Sequence, residues 1–184
     1  MSDDALDALT VLVVDDEKEV ADAYALRLRG FCSVETAYGG ADALSVIEDT
    51  TVDIVLLDRH MPGMSGDDVL LELNDREFRG RVIMVTAVDP DFDVLDMPFD
   101  AYLCKPVDRE TLHTVIEQHR TVLAYELLGE YFSAASKQAV VETATTATER
   151  ADHEGYTHVA ERTADLEQRV RRLLPEEDVL DVFD

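Results

Sequence analysis

Short apolar runs alternate with helix-like segments over the first 121 residues. The runs lie at residues 10–14, 32–37, 52–57, 82–85 and 101–104. They are short and rich in β-branched residues, as is typical of strands that are buried on both faces of a parallel sheet. Five such runs, each followed by a segment with helical periodicity, predict an α/β fold with a doubly wound five-stranded parallel sheet.

The connecting segments are predicted to be helical because their apolar residues recur three and four positions apart. Helices are expected after residue 17, at 40–48 and 67–78, and after Pro106, where a long helix is predicted. The segment 89–98 is different, because four aspartates lie there beside Pro90 and Pro98. We expect any helix in this segment to be short.

The final third contains no strand-like run. Val159, Leu166, Val170 and Leu173 lie at heptad-like spacing before Pro175. This stripe predicts a helical hairpin or coiled-coil appendage, in which a second helix packs on an extension of the last helix of the sheet domain. Burial against the same stripe of a second copy is the alternative, which would make the protein a homodimer. The expected organisation is a sheet domain at 8–121, a helical domain at 122–175 and an acidic tail at 176–184.

Polar residues lie directly after four of the predicted strands. In doubly wound sheets the ligand site lies at the carboxyl ends of the strands. We therefore expect residues that are far apart in the sequence to meet at one edge of the sheet: Asp15, Asp16, Asp58, Thr86 and Lys105.

The three aspartates indicate a site for a hard cation. Carboxylate oxygens without cysteine or histidine at ligand spacing suit Mg2+, with Mn2+ as a possible substitute. Asp15 and Asp16 could instead cap the following helix. Their expected convergence with Asp58 favours the metal, because like charges brought together without a cation would repel each other.

Asp58 is the candidate nucleophile of this cluster. A carboxylate can attack phosphorus and hold an acyl phosphate, provided that the charge on the phosphoryl oxygens is neutralised. A divalent ion and Lys105 could supply the positive charge, and the Thr86 hydroxyl could donate a hydrogen bond to the phosphoryl group.

The net charge of the chain argues against nucleic acids and anionic membranes as partners. Of 184 residues, 41 are acidic and 16 are basic, and the net charge is −25. Such a surface repels nucleic acid phosphates and anionic membranes, and it suits a protein that is kept soluble in high salt. Two cysteines and the lack of an apolar run of about 18 residues indicate a cytoplasmic protein without a membrane span.

Four motifs, in this order and at strand ends, resemble the receiver domain of two-component response regulators, as in the chemotaxis receiver. They are Val13–Glu17, Leu57–Gly66, Thr86–Ala87 and Tyr102–Pro106. The resemblance covers residues 10–120. It implies the flavodoxin-like strand order 2-1-3-4-5. It also implies that the partner is a sensor histidine kinase or phosphotransfer protein.

The resemblance implies a role for each site residue. Asp58 would be the phosphoacceptor, and Thr86 and Lys105 would contact the phosphoryl group. Thr86 and Tyr102 would form the conformational switch. The implied Mg2+ ligands are Asp15, Asp16, Asp58 and the backbone carbonyl of His60.

The final third resembles the HalX domain, a helical module that follows receivers in halophilic archaea. The resemblance rests on position, acidic composition and the helical pattern at residues 131–174. It implies a response regulator that relays a signal to an unknown output protein, with the regulation of transcription through that protein as a candidate role. Such a protein assists its own phosphorylation and is not a turnover enzyme on an external substrate.

Two alternative functions are compatible with part of this pattern of residues. Aspartate-nucleophile phosphatases also use Mg2+, an aspartate and a lysine, but they carry a second aspartate where this chain has His60. A direct DNA-binding transcription regulator would need a basic stripe. The basic cluster of this chain is Arg169, Arg171 and Arg172, which lies among acidic residues, so direct nucleic-acid binding is not favoured.

Overall fold

The computed structural model describes residues 9–174. The predicted acidic tail at 176–184 lies outside these residues. The strands are β1 Thr10–Val14, β2 Ser33–Ala37, β3 Ile54–Leu57, β4 Arg81–Thr86 and β5 Ala101–Cys104. The helices are α1 Lys18–Leu28, α2 Gly40–Asp49, α3 Gly66–Asp75, α4 Arg109–Ala144, α5 Ala147–Ala151 and α6 Glu154–Leu173, with a 3-10 helix at Phe92–Asp96.

The five strands form one parallel sheet in the order β2-β1-β3-β4-β5, which confirms the predicted fold class. β1 and β3 are neighbours at the centre, and Val14 pairs with Leu57 at their carboxyl ends. The backbone N–H of Asp58 donates to the carbonyl of Val14 at 2.9 Å. The residues that follow β1 and β3 are therefore brought side by side.

The core lies on both faces of the central strands. All four residues of β3 are buried, as are the last four of β1. One cluster joins Leu12, Val14, Val55 and Leu57 to apolar residues of α2 and α3. Each fully buried side chain of this kind stabilises the fold by about 1.5–3 kcal/mol, so the strand ends that carry the polar residues have little freedom to move.

Helix α3 ends three residues earlier than its periodicity predicts. It ends at Asp75 because Glu77 adopts a left-handed backbone conformation with φ 53°. The N–H of Phe78 then returns to the carbonyl of Leu73 at 2.9 Å. This is the hydrogen-bond pattern of a helix C-terminus, normally made with glycine. In the segment 89–98, the 3-10 helix has the short length that the prolines predict.

The described part of the chain divides into two compact units, one up to residue 120 and one from residue 121 onward. In the second unit α4 and α6 are antiparallel. The Tyr156 hydroxyl donates to Glu142 at 2.6 Å, and Arg162 donates to Glu130 at 2.9 Å. Residues further along α6 therefore meet residues earlier in α4, as the predicted hairpin requires.

The predicted stripe of α6 is mostly buried within the chain. Leu166, Val170 and Leu173 are buried, and Val159 is half-buried. Helix α5 had no counterpart in the prediction. It begins at a capping box in which Thr146 and Glu149 exchange hydrogen bonds between side chain and backbone.

Candidate functional site

An acidic cluster lies at the carboxyl edge of the sheet. Asp15, Asp16 and Asp58 each offer one carboxylate oxygen, and these three oxygens lie within 4.8 Å of one another. Asp15 and Asp58 are buried, whereas Asp16 is more exposed. The convergence follows from the pairing of β1 with β3, and it supplies the oxygen ligands that a hard divalent cation needs.

Lys105 is the positive charge of this cluster. Its Nζ lies 2.5 Å from Asp15 Oδ2 and 3.4 Å from Asp58 Oδ1. Lys105 is held there by its backbone, because its N–H donates to the carbonyl of Thr86 at 2.8 Å. Burial lowers the pKa of Lys105, but the hydrogen bond to Asp15 and the charge of Asp58 outweigh this effect and raise it. The lysine is therefore cationic.

The environment of Asp58 disfavours its charge. Burial raises the pKa of this carboxyl, the charge of Lys105 lowers it, the charge of Asp15 raises it, and the net direction is upward. Three carboxylates face one lysine, so the cluster carries excess negative charge. A divalent cation would neutralise this charge, and the donor set of three carboxylates therefore fits Mg2+.

The predicted switch residues, Thr86 and Tyr102, both form hydrogen bonds with the backbone of Val88. Thr86 is buried at the end of β4, and its Oγ1 accepts from the N–H of Val88 at 3.3 Å. The Tyr102 hydroxyl donates to the carbonyl of Val88 at 2.9 Å. Burial raises the pKa of this hydroxyl, although the neighbouring Arg59 guanidinium acts in the opposite direction. One residue of the β4–β5 segment thus connects Thr86 with Tyr102.

Arg59 is a site residue that the sequence analysis missed. It follows Asp58 directly, and its side chain is only 12% exposed. Its Nη2 donates to Asp93 Oδ2 at 2.6 Å, and its Nε donates to Asp67 at 3.1 Å. The hydrogen bond that Arg59 donates to Asp93, its hydrogen bond with Tyr102 and the charge of Asp67 raise the pKa of Arg59, although burial lowers it. No spacing rule connects Arg59 with Asp93, because the 3-10 helix that brings them together has no periodic signal.

Gly66 permits the close approach of α3 to the loop that begins at Asp58. A Cβ at this position would lie 2.1 Å from the carbonyl oxygen of Asp58 and 2.9 Å from the Cα of Arg59. The N–H of Gly66 donates to the carbonyl of Arg59 at 2.9 Å. In the same loop, His60, whose backbone carbonyl is the predicted metal ligand, has an exposed side chain.

Two other features bear on direct DNA binding and on membrane insertion. Arg171 of the basic cluster pairs with Glu167 at 2.9 Å, so its charge is partly neutralised. Within residues 9–174, no helix combines the length with the apolar character that crossing a membrane requires.

Comparisons with known proteins agree with this geometry. The family model of the response regulator receiver domain matches residues 11–117, and that of the HalX domain matches residues 121–183. A receiver-domain protein from Methanospirillum hungatei, described as CheY-like, has a similar structure with a TM-score of 0.60 and 26% identity. This similarity covers 64% of this chain and 98% of that one.

Two curated relatives are longer proteins. A protein of Haloferax volcanii, whose name assigns it to transcriptional regulation, is 47% identical over 72% of this chain but only 23% of its own length. The sensory transduction protein RegX3 of Mycolicibacterium smegmatis is 42% identical over 56% of this chain and 46% of its own length. The chain thus spans less than half the length of either relative. It belongs to the response regulator receiver family, with a HalX domain after the receiver.

Proposed function

We propose that this protein accepts a phosphoryl group on Asp58 from a sensor histidine kinase or phosphotransfer protein, with Mg2+ as cofactor and Mn2+ as a possible substitute. The observation that carries the proposal is the convergence of Asp15, Asp16 and Asp58 with Lys105 at one sheet edge. Receiver-domain membership supports the same assignment.

In the proposed transfer, a carboxylate oxygen of Asp58 attacks the phosphorus of a phosphohistidine in line. The P–N bond breaks, and the imidazole leaves as the acyl phosphate forms. Asp15, Asp16, Asp58 and the backbone carbonyl of His60 would hold Mg2+, which supplies positive charge to the phosphoryl oxygens when it is bound. Lys105 neutralises the same oxygens, and the Thr86 hydroxyl donates to one of them.

The proposed output route runs through Val88. If Thr86 turns toward the phosphoryl group, its Oγ1 no longer accepts from the N–H of Val88. The same peptide segment is bonded to Tyr102, so a change at Thr86 reaches the tyrosine. We therefore assign the switch role to Thr86 and Tyr102, and the change to be relayed is a shift of the segment between β4 and β5.

The proposed biological role is the regulation of transcription through a protein partner in the cytoplasm. The name of the Haloferax volcanii relative favours transcription as the process. A gel-shift assay in high salt, with and without a phosphodonor, tests for direct DNA binding. We expect no shift with either form, because the net charge of −25 repels DNA.

Labelling by acetyl phosphate tests the acceptor assignment. The D58N variant is expected to lose hydroxylamine-sensitive phosphate and to keep its fold, since asparagine has nearly the same volume. The matched control is Asp53→Asn at the opposite end of the same strand, where the buried Asp53 accepts from the N–H of Thr10 at 3.0 Å. The control is expected to be labelled like the wild type. Undiminished hydroxylamine-sensitive phosphate on the D58N variant would reject the proposal.

A further inference from the structure

The charged residues of α4 lie unevenly around the helix. Between residues 121 and 144 the helix carries four of them, Glu126, Glu130, Lys137 and Glu142. Glu130 and Glu142 bond to Arg162 and Tyr156 of α6. Helix α6 is of similar length but carries eight charged residues. Two of the four charges on this part of α4 are thus directed at α6.

The opposite side of α4 is uncharged and exposed. Positions spaced alternately three and four apart form a row there, which we call the α4 stripe: Val122, Tyr125, Gly129, Phe132, Ser136, Ala139 and Thr143. All seven residues are exposed, with Tyr125 at 56% and Phe132 at 48%. On a chain with a net charge of −25, two half-exposed aromatic rings on one uncharged face indicate an interaction surface.

The spacing of the α4 stripe is that of the a and d positions of a coiled coil, continued over three heptads. The flanking positions also permit a parallel pair. In a parallel, in-register pair of α4 helices, the residues that flank the α4 stripe would face each other across the seam without bringing two like charges together. The facing pairs are Thr121 with Glu126, Leu128 with Ser133, and Ala135 with Val140.

We propose that the α4 stripe is a dimer interface, filled by the α4 stripe of a second copy in a parallel, in-register coiled coil. The stripe is its own best counterpart, because an uncharged surface about 30 Å long matches another uncharged surface of the same length. Two such stripes with their flanks bury about 1,000 Å2, which is near the lower bound of specific interfaces. The apolar residues of α6 are not available as the counterpart, since Leu166, Val170 and Leu173 are buried in their own chain.

The association state of the full chain tests the proposal independently of phosphorylation. Sedimentation equilibrium of unphosphorylated protein at about 50 μM in about 1 M KCl, where repulsion is screened, is expected to give a dimer. F132E should weaken the dimer at least about tenfold, since it places two carboxylates at one seam position. The matched control is Leu71→Glu on α3, because Leu71 is as exposed as Tyr125, at 56%. The L71E variant should remain a dimer.

Cross-linking tests the register and also covers the case in which F132E does not fold. The background is Cys104→Ser, because Cys104 is exposed and Cys32 is buried. S136C is expected to form disulfide-linked dimers on oxidation, whereas K137C, one position further around the helix, should do so much more slowly. A wild-type monomer under these conditions, or equal cross-linking of the two cysteine variants, would overturn the proposal.

Discussion

The Arg59 guanidinium donates to the Asp93 carboxylate at 2.6 Å and thereby joins the residue after Asp58 to the 3-10 helix between β4 and β5. The same arginine donates to Asp67 in the first turn of α3. The side chain of Arg59 therefore contacts both the first turn of α3 and the 3-10 helix. Phe92 and Leu95 of the 3-10 helix are 85% and 76% exposed, so this short helix has few apolar contacts to hold it in place.

We expect the Arg59–Asp93 pair to order the 3-10 helix. Arg59→Met or Asp93→Asn should increase amide hydrogen exchange at residues 92–97, because either change removes the ion pair. Asp93 is 56% exposed, so solvent screens the pair and the coupling free energy should be only about 0.5–1 kcal/mol in a double-mutant cycle.

The control for this prediction is Arg76→Met, which breaks the ion pairs of Arg76 with Glu48 of α2 and Glu72 of α3. Exchange at residues 92–97 should be unaffected by it. If R76M and R59M accelerated exchange there equally, Arg59 would have no specific effect on the segment.

Metal removal should stop phosphorylation. We expect excess EDTA to abolish labelling by acetyl phosphate, and Asp16→Ala to reduce it at least about tenfold by removing a ligand. Without metal, D16A should raise the melting temperature, because one of three converging carboxylates is lost. Glu19→Gln on the exposed face of α1 is the matched control and should retain normal labelling. Full labelling in EDTA would exclude a metal requirement.

The stability of the fold should depend on salt. At a net charge of −25, lowering KCl from about 1 M to about 0.1 M lengthens the Debye length from about 3 Å to about 10 Å and strengthens self-repulsion. The melting temperature should therefore fall. A triple variant with Glu19→Gln, Asp49→Asn and Asp75→Asn changes the net charge from −25 to −22 and should show a smaller fall. Identical melting temperatures at both salt concentrations would contradict this interpretation.

Unfolding the helical unit should leave the phosphorylation of Asp58 intact. Leu166→Asp with Val170→Asp places two charges at buried positions of α6, which should unfold the α4–α6 hairpin at a cost of several kcal/mol. Labelling of Asp58 should be nearly unchanged, since its site lies in the other compact unit. Ala164→Asp at an exposed position of the same helix is the control. Loss of labelling in the double variant alone would show that the two units are not independent.

Much of the sheet was predictable because its strands are short, mostly apolar runs, and β1, β3 and β4 are buried on both faces. Thr10–Val14 and Ala101–Cys104 have the predicted bounds, and β3 begins two residues later than its apolar run. Periodicity alone does not give the strand order, and the resemblance to receiver domains supplied it. The end of α3 was missed because the left-handed conformation is adopted by Glu77, where a glycine would have been a visible signal.

The candidate site was predictable to the extent that it consists of strand ends. Asp15, Asp16, Asp58 and Lys105 converge because parallel strands end at the same edge. Their roles in phosphoryl transfer stay predictions. The contacts of Arg59 were not predictable, since they depend on where an aperiodic segment places Asp93. The link through Val88 was hidden for a related reason, because it uses backbone atoms that carry no residue signature.

The contact at Gly66 limits which sequences this site can accept. Any Cβ at position 66 would overlap the backbone carbonyl of Asp58, so relief would require either α3 or the loop at Asp58 to shift. In a saturation library selected for phosphorylation, we expect glycine alone to survive at this position. The nearby Gly63, which has nothing within 4 Å of a Cβ but a φ of 79°, should also accept asparagine. The start of α3 and the direction of the Asp58 carboxylate therefore cannot be varied separately, in a library or during divergence.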